Sequence, residues 1–294
     1  MTKKIVLLMV PALMLSGCTL LLNNNNANEA GINDELYKPT ITINSNQKGE
    51  RITKEEASDK LTQLTSRMSQ TVANLKENAP DYLTYTFKTD VDDQYRFASL
   101  NYAKEEQYVK THTDQFDPAE LEDGTKGHDK VTKDNYLYLD GDHYIQASHQ
   151  KNESADGKNV SEDKFYSVLD ESEIIDWTSQ AEQMGNRATN YINDYRQYLE
   201  REYASADVVV EFASKGEGHL YAYVDASKTL GAKVEVLFDN YFLVYGYAYL
   251  NLKSVADWIP AEFQGKGSQL ASELRVDFSR FTPEYPNLAE YEAE

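Results

Sequence analysis

The chain has 294 residues with 29 Lys and Arg against 49 Asp and Glu, which gives a formal net charge of −20 at pH 7. Proteins hold nucleic acid mainly through Lys and Arg contacts to phosphate, so this charge argues against nucleic acid as a partner. A single Cys excludes an intrachain disulfide, and the fold must therefore rest on a hydrophobic core. The 22 Tyr favour strands with partly exposed faces.

The N-terminus has the order of residues found in a bacterial export signal. A basic pair precedes an apolar run over 5–15, and small residues lead from this run to Cys18. The run is shorter than the about 20 apolar residues that a helix needs to span a bilayer. The stretch Leu15-Ser16-Gly17-Cys18 resembles the lipobox of bacterial lipoproteins, which implies cleavage before Cys18 and lipid on its sulfur and its new amino end.

Lipidation of Cys18 would determine where the protein works. A diacylglyceryl group supplies two acyl chains, and two chains hold a protein stably on a membrane. We therefore expect a signal peptide over 1–17, a lipid-anchored flexible tether over the Asn-rich 18–50, and a location on the extracytoplasmic face of the cell membrane. The alternatives are an ordinary secreted protein with a buried or free Cys, or an uncleaved anchor helix.

A single α+β domain is expected over 51–282. It starts with a helix, because Thr53 and Glu56 fit a capping box and an apolar stripe follows until the pattern breaks at 78–80. Spacings of three and four residues place the stripe on one helix face. The stripe consists of Ala57, Leu61, Leu64, Met68, Val72 and Leu75.

Strand patterns follow this helix. Alternating residues and turn signals predict hairpins at 81–103 and 135–148, the second turning at an Asp-Gly pair, with a further strand at 105–114. The polar stretches 115–132 and 151–160 are predicted to be loops.

A second helical region is predicted over 161–204, with a break near 171–172. Its apolar residues recur every three or four positions, namely Ile174, Trp177, Ala181, Met184, Ala188, Tyr191, Tyr195 and Tyr198. A connector at 254–263 and an acidic tail over 283–294 are also expected. Further strands are predicted at 206–214, 218–226, 231–240, 241–253 and 269–281.

Helices and strands in this order predict an α+β fold. Parallel strands need crossovers of about a dozen residues or more, so the closely spaced strands should form one large antiparallel sheet with helices packed on one face. The element order over 53–281 and the ending "VDFSRFTPEYPN" at 276–287 resemble the lipoprotein-carrier (LolA-like) fold of bacterial envelopes. This resemblance implies a curved, half-open, barrel-like sheet that wraps helices and an apolar cavity for acyl chains or a lipid.

The stretch "YFLVYGYAYLNL" at 241–252 carries the candidate binding residues. Neither of its alternating sides is polar, which predicts a central strand covered on both faces. Small side chains leave open space above one side of this strand, and such a surface admits either a packed helix or a ligand. The candidate ligand-binding residues are those of this side: Phe242, Val244, Gly246, Ala248 and Leu250.

Signals for other chemistry are weak. No G-x-S-x-G, H-E-x-x-H, Walker A or G-x-G-x-x-G pattern occurs, so we expect neither an enzyme nor a bound cofactor. Asp-rich turns at 90–93 and 140–142 lack the spacing of an EF-hand and indicate solvated turns, with a weak Ca²⁺ site as the alternative. His143 and His149 share a strand face but lie about 20 Å apart, so no shared metal site is expected.

The sequence supports two functions. The first is a membrane-anchored extracytoplasmic lipoprotein that binds a lipid or another apolar ligand in the concave face of its sheet. The alternative is a non-catalytic cell-surface interaction lipoprotein without a ligand cavity. A hydrolase with scattered acids is a weaker third hypothesis, because nothing in the sequence pairs those acids. Membrane contact is expected through the acyl chains on Cys18, and the sequence specifies no oligomeric state.

Overall fold

The computed structural model describes residues 40–91, 94–169, 177–200, 207–251 and 269–293. The first half of the chain forms α1 (Ser45–Lys48), β1 (Glu50–Arg51), α2 (Lys54–Glu77), β2 (Tyr82–Val91), β3 (Gln94–Ala103), β4 (Tyr108–Glu120), β5 (Lys126–Asp140), β6 (His143–Glu153) and β7 (Val160–Leu169). The second half forms α3 (Trp177–Glu200), β8 (Val209–Ser214), β9 (Leu220–Ala226), α4 (Ser227–Leu230), β10 (Ala232–Asp239), β11 (Phe242–Asn251), β12 (Gln269–Asp277), a 3-10 turn at Leu288–Glu290, and β13 (Glu292–Ala293).

The 13 described strands form one open, curved sheet in the order β1-β8-β9-β10-β11-β12-β2-β3-β4-β5-β6-β7-β13. Every neighbouring pair is antiparallel except β13 and β7, which are parallel. The late strand β12 lies between β11 and β2 and thereby joins the two meanders into one sheet. The α+β class and the large antiparallel sheet are therefore confirmed.

Helix α2 begins at the predicted capping box. The Thr53 Oγ1 accepts a hydrogen bond from the Glu56 N–H at 3.2 Å, and the Glu56 Oε2 accepts one from the Thr53 N–H at 2.8 Å. Asn78 follows the last helical residue, and Pro80 prevents continuation. The side chains that α2 buries are those of the predicted stripe: Ala57, Leu61, Leu64 and Met68.

Helices α2 and α3 pack side by side on one face of the sheet. They approach closely at Gly185, where an added Cβ would collide with Val72 Cγ2. The hydroxyl of Tyr195 lies 2.8 and 2.6 Å from the carbonyl oxygens of Ala222 and Val234 and ties α3 to β9 and β10. The residues that α3 buries are Ala181, Met184, Ala188, Ile192, Tyr195 and Leu199.

The chain before α2 packs on the opposite face of the sheet. Ile41 and Ile43 contact the apolar and tyrosine side chains of β8–β11, and Ile43 is only 6% exposed. The N–H and the Oγ1 of Thr40 donate to Glu273 Oε2 at 3.1 and 2.6 Å. The predicted end of the tether at residue 50 is therefore revised, because residues 40–50 belong to the folded domain.

The C-terminal segment also packs on this opposite face, at its other end. The Tyr108 hydroxyl donates to the Glu284 carbonyl at 2.7 Å, and the Tyr285 ring contacts those of Tyr108 and Tyr138 at centroid distances of 5.3 and 5.0 Å. Strand β13 then pairs with β7. Residues 283–293, predicted to be an acidic tail, are therefore bound to the sheet.

Two sequence predictions are wrong because the strand segments concerned carry mostly polar side chains on both faces. The stretch predicted as a loop at 115–132 lies mostly in β4 and β5, and 161–169, predicted helical, lies in β7. Polar side chains pair across these strands instead of packing in a core: Thr132 Oγ1 donates to Asp114 Oδ1 at 2.6 Å, and Asn152 Nδ2 donates to Ser161 Oγ at 3.0 Å. Such strands lack the apolar alternation that identifies a half-buried strand.

Several predictions fall outside the described residues. These are the signal peptide over 1–17, the lipidation site Cys18 and the tether up to residue 39. They also include the break near 171–172 and the connector at 254–263.

Candidate functional site

Strand β11, which carries the predicted binding residues, lies between β10 and β12 near the middle of the sheet. Gly246 and Leu250 are buried on the helix-covered face, Ala248 shares that face, and Phe242 packs at its margin. Phe242 also contacts the Phe278 ring at a centroid distance of 5.0 Å.

Val244 does not share this face, which corrects the predicted set. The register with β10 shifts by one residue, because Leu237 pairs with Tyr245 whereas Phe238 pairs with Leu243. An extra residue in one strand reverses the side to which the following side chains point. Leu243 therefore joins the helix-side core, and Val244 packs against the tyrosine cluster on the opposite face.

A side chain of helix α3 fills the space above Gly246. A Cβ added to this glycine would lie 2.6 Å from Cε2 and Cζ of Tyr191 and 2.7 Å from its hydroxyl oxygen. The ring therefore rests on the bare backbone of β11, which only glycine permits at this distance. Burial raises the pKa of Tyr191, whose hydroxyl also lies within hydrogen-bonding reach of Ser272.

The space above Ala248 is not completely filled. Ala248 and its cross-strand neighbour Ser272 remain partly exposed, whereas Val234 on the other side of Ala248 is fully buried. A residue at the centre of a sheet that keeps solvent contact indicates an opening between α3 and the strands. We call this opening the Ala248 crevice, with Ala248, Ser272 and Thr89 as its floor and Tyr191 at its side.

Thr89 completes the floor of the Ala248 crevice. It pairs with Ser272 across β2 and β12, so the three floor residues lie in one row on the same sheet face. Thr89 is 4% exposed, and its Oγ1 has no hydrogen-bond partner among the described residues. A buried hydroxyl without a partner costs free energy, and a polar group brought by a ligand would relieve that cost.

No sequence pattern points directly to Thr89 or Ser272. Their proximity depends on the pairing of β12 with β2, which are far apart in the chain. The one sequence feature that marks the place is the small pair Ala271-Ser272 within the otherwise large side chains of β12.

His112 and His149 lie on the opposite face, in a row of polar side chains that contact one another. His112 Nδ1 is 2.8 Å from Asp134 Oδ1, and its Nε2 is 3.1 Å from Asp114 Oδ2. The hydrogen bond to Asp134, followed by that to Asp114, raises the pKa of His112. His149 contacts Glu162 Oε1 at 2.8 Å. Within the described residues, no group of three or more His, Cys, Asp or Glu side chains is placed to hold a metal ion.

Two buried carboxylates also lie on that opposite face. Glu235 and Glu273 flank Tyr247 across three neighbouring strands, and each is 8% exposed. The Tyr221 hydroxyl donates to Glu235 Oε1 at 2.8 Å, and burial raises the pKa of Glu235. Glu273 instead accepts the hydrogen bonds from Thr40 and so holds the N-terminal segment on the sheet.

No family model, curated protein or solved structure matches this chain. No helix within the described ranges combines the length and the apolar character that a membrane span requires.

Proposed function

We propose that this chain is a lipid-anchored, non-catalytic lipoprotein on the extracytoplasmic face of a cell membrane, and that it binds a lipid or another apolar ligand in the Ala248 crevice. The observation that carries the proposal is the exposure of Ala248 and Ser272 at the centre of a sheet face that α2 and α3 otherwise bury. Ligand sites are concave, largely apolar and lined by a few placed polar groups. A half-open, barrel-like closure of the curved sheet around the helices is part of this proposal.

The anchor rests on the sequence around Cys18, where a basic end, an apolar run and small residues occur in the order of a lipoprotein signal. The position of residue 40 is compatible with this anchor. Thr40 binds Glu273 on the face opposite the helices, so a tether that continues from it starts away from the Ala248 crevice. The anchored protein would thus keep its ligand site accessible.

Two measurements test the two parts of the proposal. For the anchor, cells fed a labelled fatty acid should label the parent protein and not the Cys18→Ala variant, and equal labelling of both would refute lipidation there. For the ligand, native mass spectrometry of the processed protein should show a non-covalent mass beyond the covalent anchor. Ala248→Phe should remove that mass, since the ring would fill the crevice.

A matched control separates blocking of the crevice from general damage. Ala119 is a partly exposed alanine of β4, far along the sheet from both helices, so Ala119→Phe adds the same bulk elsewhere. Ala119→Phe should retain the bound mass. A parent protein without any bound mass, or one whose bound mass survives Ala248→Phe, would refute binding in the crevice.

A separate observation favours the alternative function, an interaction lipoprotein. Strand β7 exposes Val160, Phe165 and Val168 to 54%, 37% and 53%, and β13 pairs with only two of its residues. An open strand edge with apolar side chains can accept an extended segment of another protein. A photo-crosslinking residue at position 160 should then give a discrete adduct on cells that Val168→Lys abolishes, and an adduct unaffected by that change would exclude this edge.

A further inference from the structure

Arg187 is a cation at the helix–sheet interface with no anionic partner in the described part of the chain. Its guanidinium carbon lies 4.0 Å from the centroid of the Phe87 ring. Stacking occupies the flat face of a guanidinium and leaves the N–H donors in its plane free for other partners. Among the described residues, no carboxylate lies within 4.0 Å of Arg187 and no atom accepts a hydrogen bond from it.

The other arginines of the two long helices differ from Arg187. Arg67 Nη1 donates to Gln70 Oε1 at 3.3 Å, and Arg196 Nη2 donates to Thr65 Oγ1 at 3.1 Å. The chain as a whole carries a formal net charge of −20, so acidic side chains are abundant. A half-buried arginine that pairs with none of the acidic side chains in the described ranges retains its full capacity to bind an anion.

Arg187 is next to the Ala248 crevice. Phe87, on which it stacks, and Thr89 are alternate residues of β2 on the same face, about 7 Å apart. Arg187 also precedes Tyr191 by one helical turn, and the Tyr191 ring lies on Gly246 beside Ala248. The guanidinium therefore lies over β2, the strand that carries the unpaired Thr89 hydroxyl, and Ala248 lies two strands away in the row Ala248, Ser272 and Thr89.

We infer that the ligand of the Ala248 crevice is an anionic amphiphile, whose carboxylate or phosphate headgroup is bound by Arg187 and the Thr89 hydroxyl while its acyl chain lies against Ala248. This inference rests on the function proposed above and adds the headgroup class to it. Planar guanidinium donors match the oxygens of a carboxylate or a phosphate in a bidentate manner. A fatty acid and an acidic phospholipid both offer that chemistry.

The test is a titration of the processed, full-length protein followed by native mass spectrometry. The probes are palmitate, its uncharged methyl ester, phosphatidylglycerol and uncharged diacylglycerol. The anionic member of a pair should bind about tenfold or more tightly than its neutral counterpart, since hydrogen bonds to charged groups contribute about that factor. A preference for palmitate identifies a carboxylate ligand, and one for phosphatidylglycerol identifies a phosphate ligand; either result supports the inference.

Two variants assign the preference to Arg187. Arg187→Met keeps a long side chain on Phe87 without the charge and should abolish the anionic preference. The matched control Arg196→Met makes the same change on the same helix and should retain it. The comparison of palmitate with its methyl ester needs no variant, so it tests the preference for an anionic headgroup even if Arg187→Met does not fold.

The outcomes separate this inference from the function on which it rests. If Ala248→Phe abolishes binding of every probe, but palmitate binds only as tightly as its ester and phosphatidylglycerol only as tightly as diacylglycerol, the crevice binds ligand and the headgroup inference is overturned. An anionic preference that persists in Arg187→Met also overturns it. If no probe binds, or Ala248→Phe leaves binding unchanged, the proposed function itself fails.

Discussion

Replacing Gly246 by Ala tests whether the Tyr191 ring rests on β11. The new Cβ would lie 2.6 Å from two ring carbons, about 1 Å closer than the ~3.5–4.0 Å at which carbon atoms pack. Overpacking of this kind costs about 1–3 kcal/mol. Removing a glycine from a strand interior returns about 0.5–1 kcal/mol of backbone entropy. We therefore expect Gly246→Ala to lower the free energy of unfolding by a net of up to about 2.5 kcal/mol.

A double-mutant cycle identifies the ring as the cause. In a Tyr191→Ala background the collision is absent, so Gly246→Ala should raise the free energy of unfolding by about 0.5–1 kcal/mol. Urea denaturation of the four proteins measures the coupling, which should be about 1–3 kcal/mol. Gly141 has no atom within 4 Å of an added Cβ, so Gly141→Ala should show no coupling to Tyr191. Additive effects of Gly246→Ala and Tyr191→Ala would refute this packing.

Three further predictions concern the segments and pairs outside the crevice. Ile43→Ala should lower the free energy of unfolding in urea by about 2–4 kcal/mol, because Ile43 is a core residue; an unchanged value would mean that the segment is a tether. Tyr108→Phe should lower it by about 0.5–1.5 kcal/mol through loss of the hydrogen bond to Glu284, and no change would mean that the C-terminal segment is not bound. The raised pKa of His112 stabilises the fold fully below its ordinary value of 6.5, and this contribution is lost as the pH rises through the folded-state pKa. The stability difference between the parent and His112→Gln should therefore shrink between pH 6 and pH 9, and a difference independent of pH would contradict the ion pairs to Asp134 and Asp114.

The features that local sequence predicts are those set by neighbouring residues. The capping box of Thr53 and Glu56 and the apolar stripe after it identify α2. The Asp140-Gly141 turn identifies the β5–β6 hairpin, where Gly141 takes a φ of 62° that suits glycine. The alternation in β11 likewise identifies a central strand covered on both faces.

The features that the sequence did not predict depend on distant pairings or on the absence of a core. β4, β5 and β7 extend beyond the helices, so their side chains pair with one another and show no apolar period. The bulge that turns Val244 away depends on the register with β10. The Ala248 crevice depends on the pairing of β12 with β2, which brings Ser272 next to Thr89.

The most direct test of the account is to map where a ligand lies on the full-length protein. A photoactivatable palmitate would be crosslinked to the protein in membranes, and mass spectrometry would locate the labelled peptides. We expect labels on β11, around Ala248, and on α3, around Tyr191, and their loss in Ala248→Phe but not in Ala119→Phe. Labels confined to other parts of the chain, or β11 labels that persist in Ala248→Phe, would contradict the claim that this crevice binds an acyl ligand.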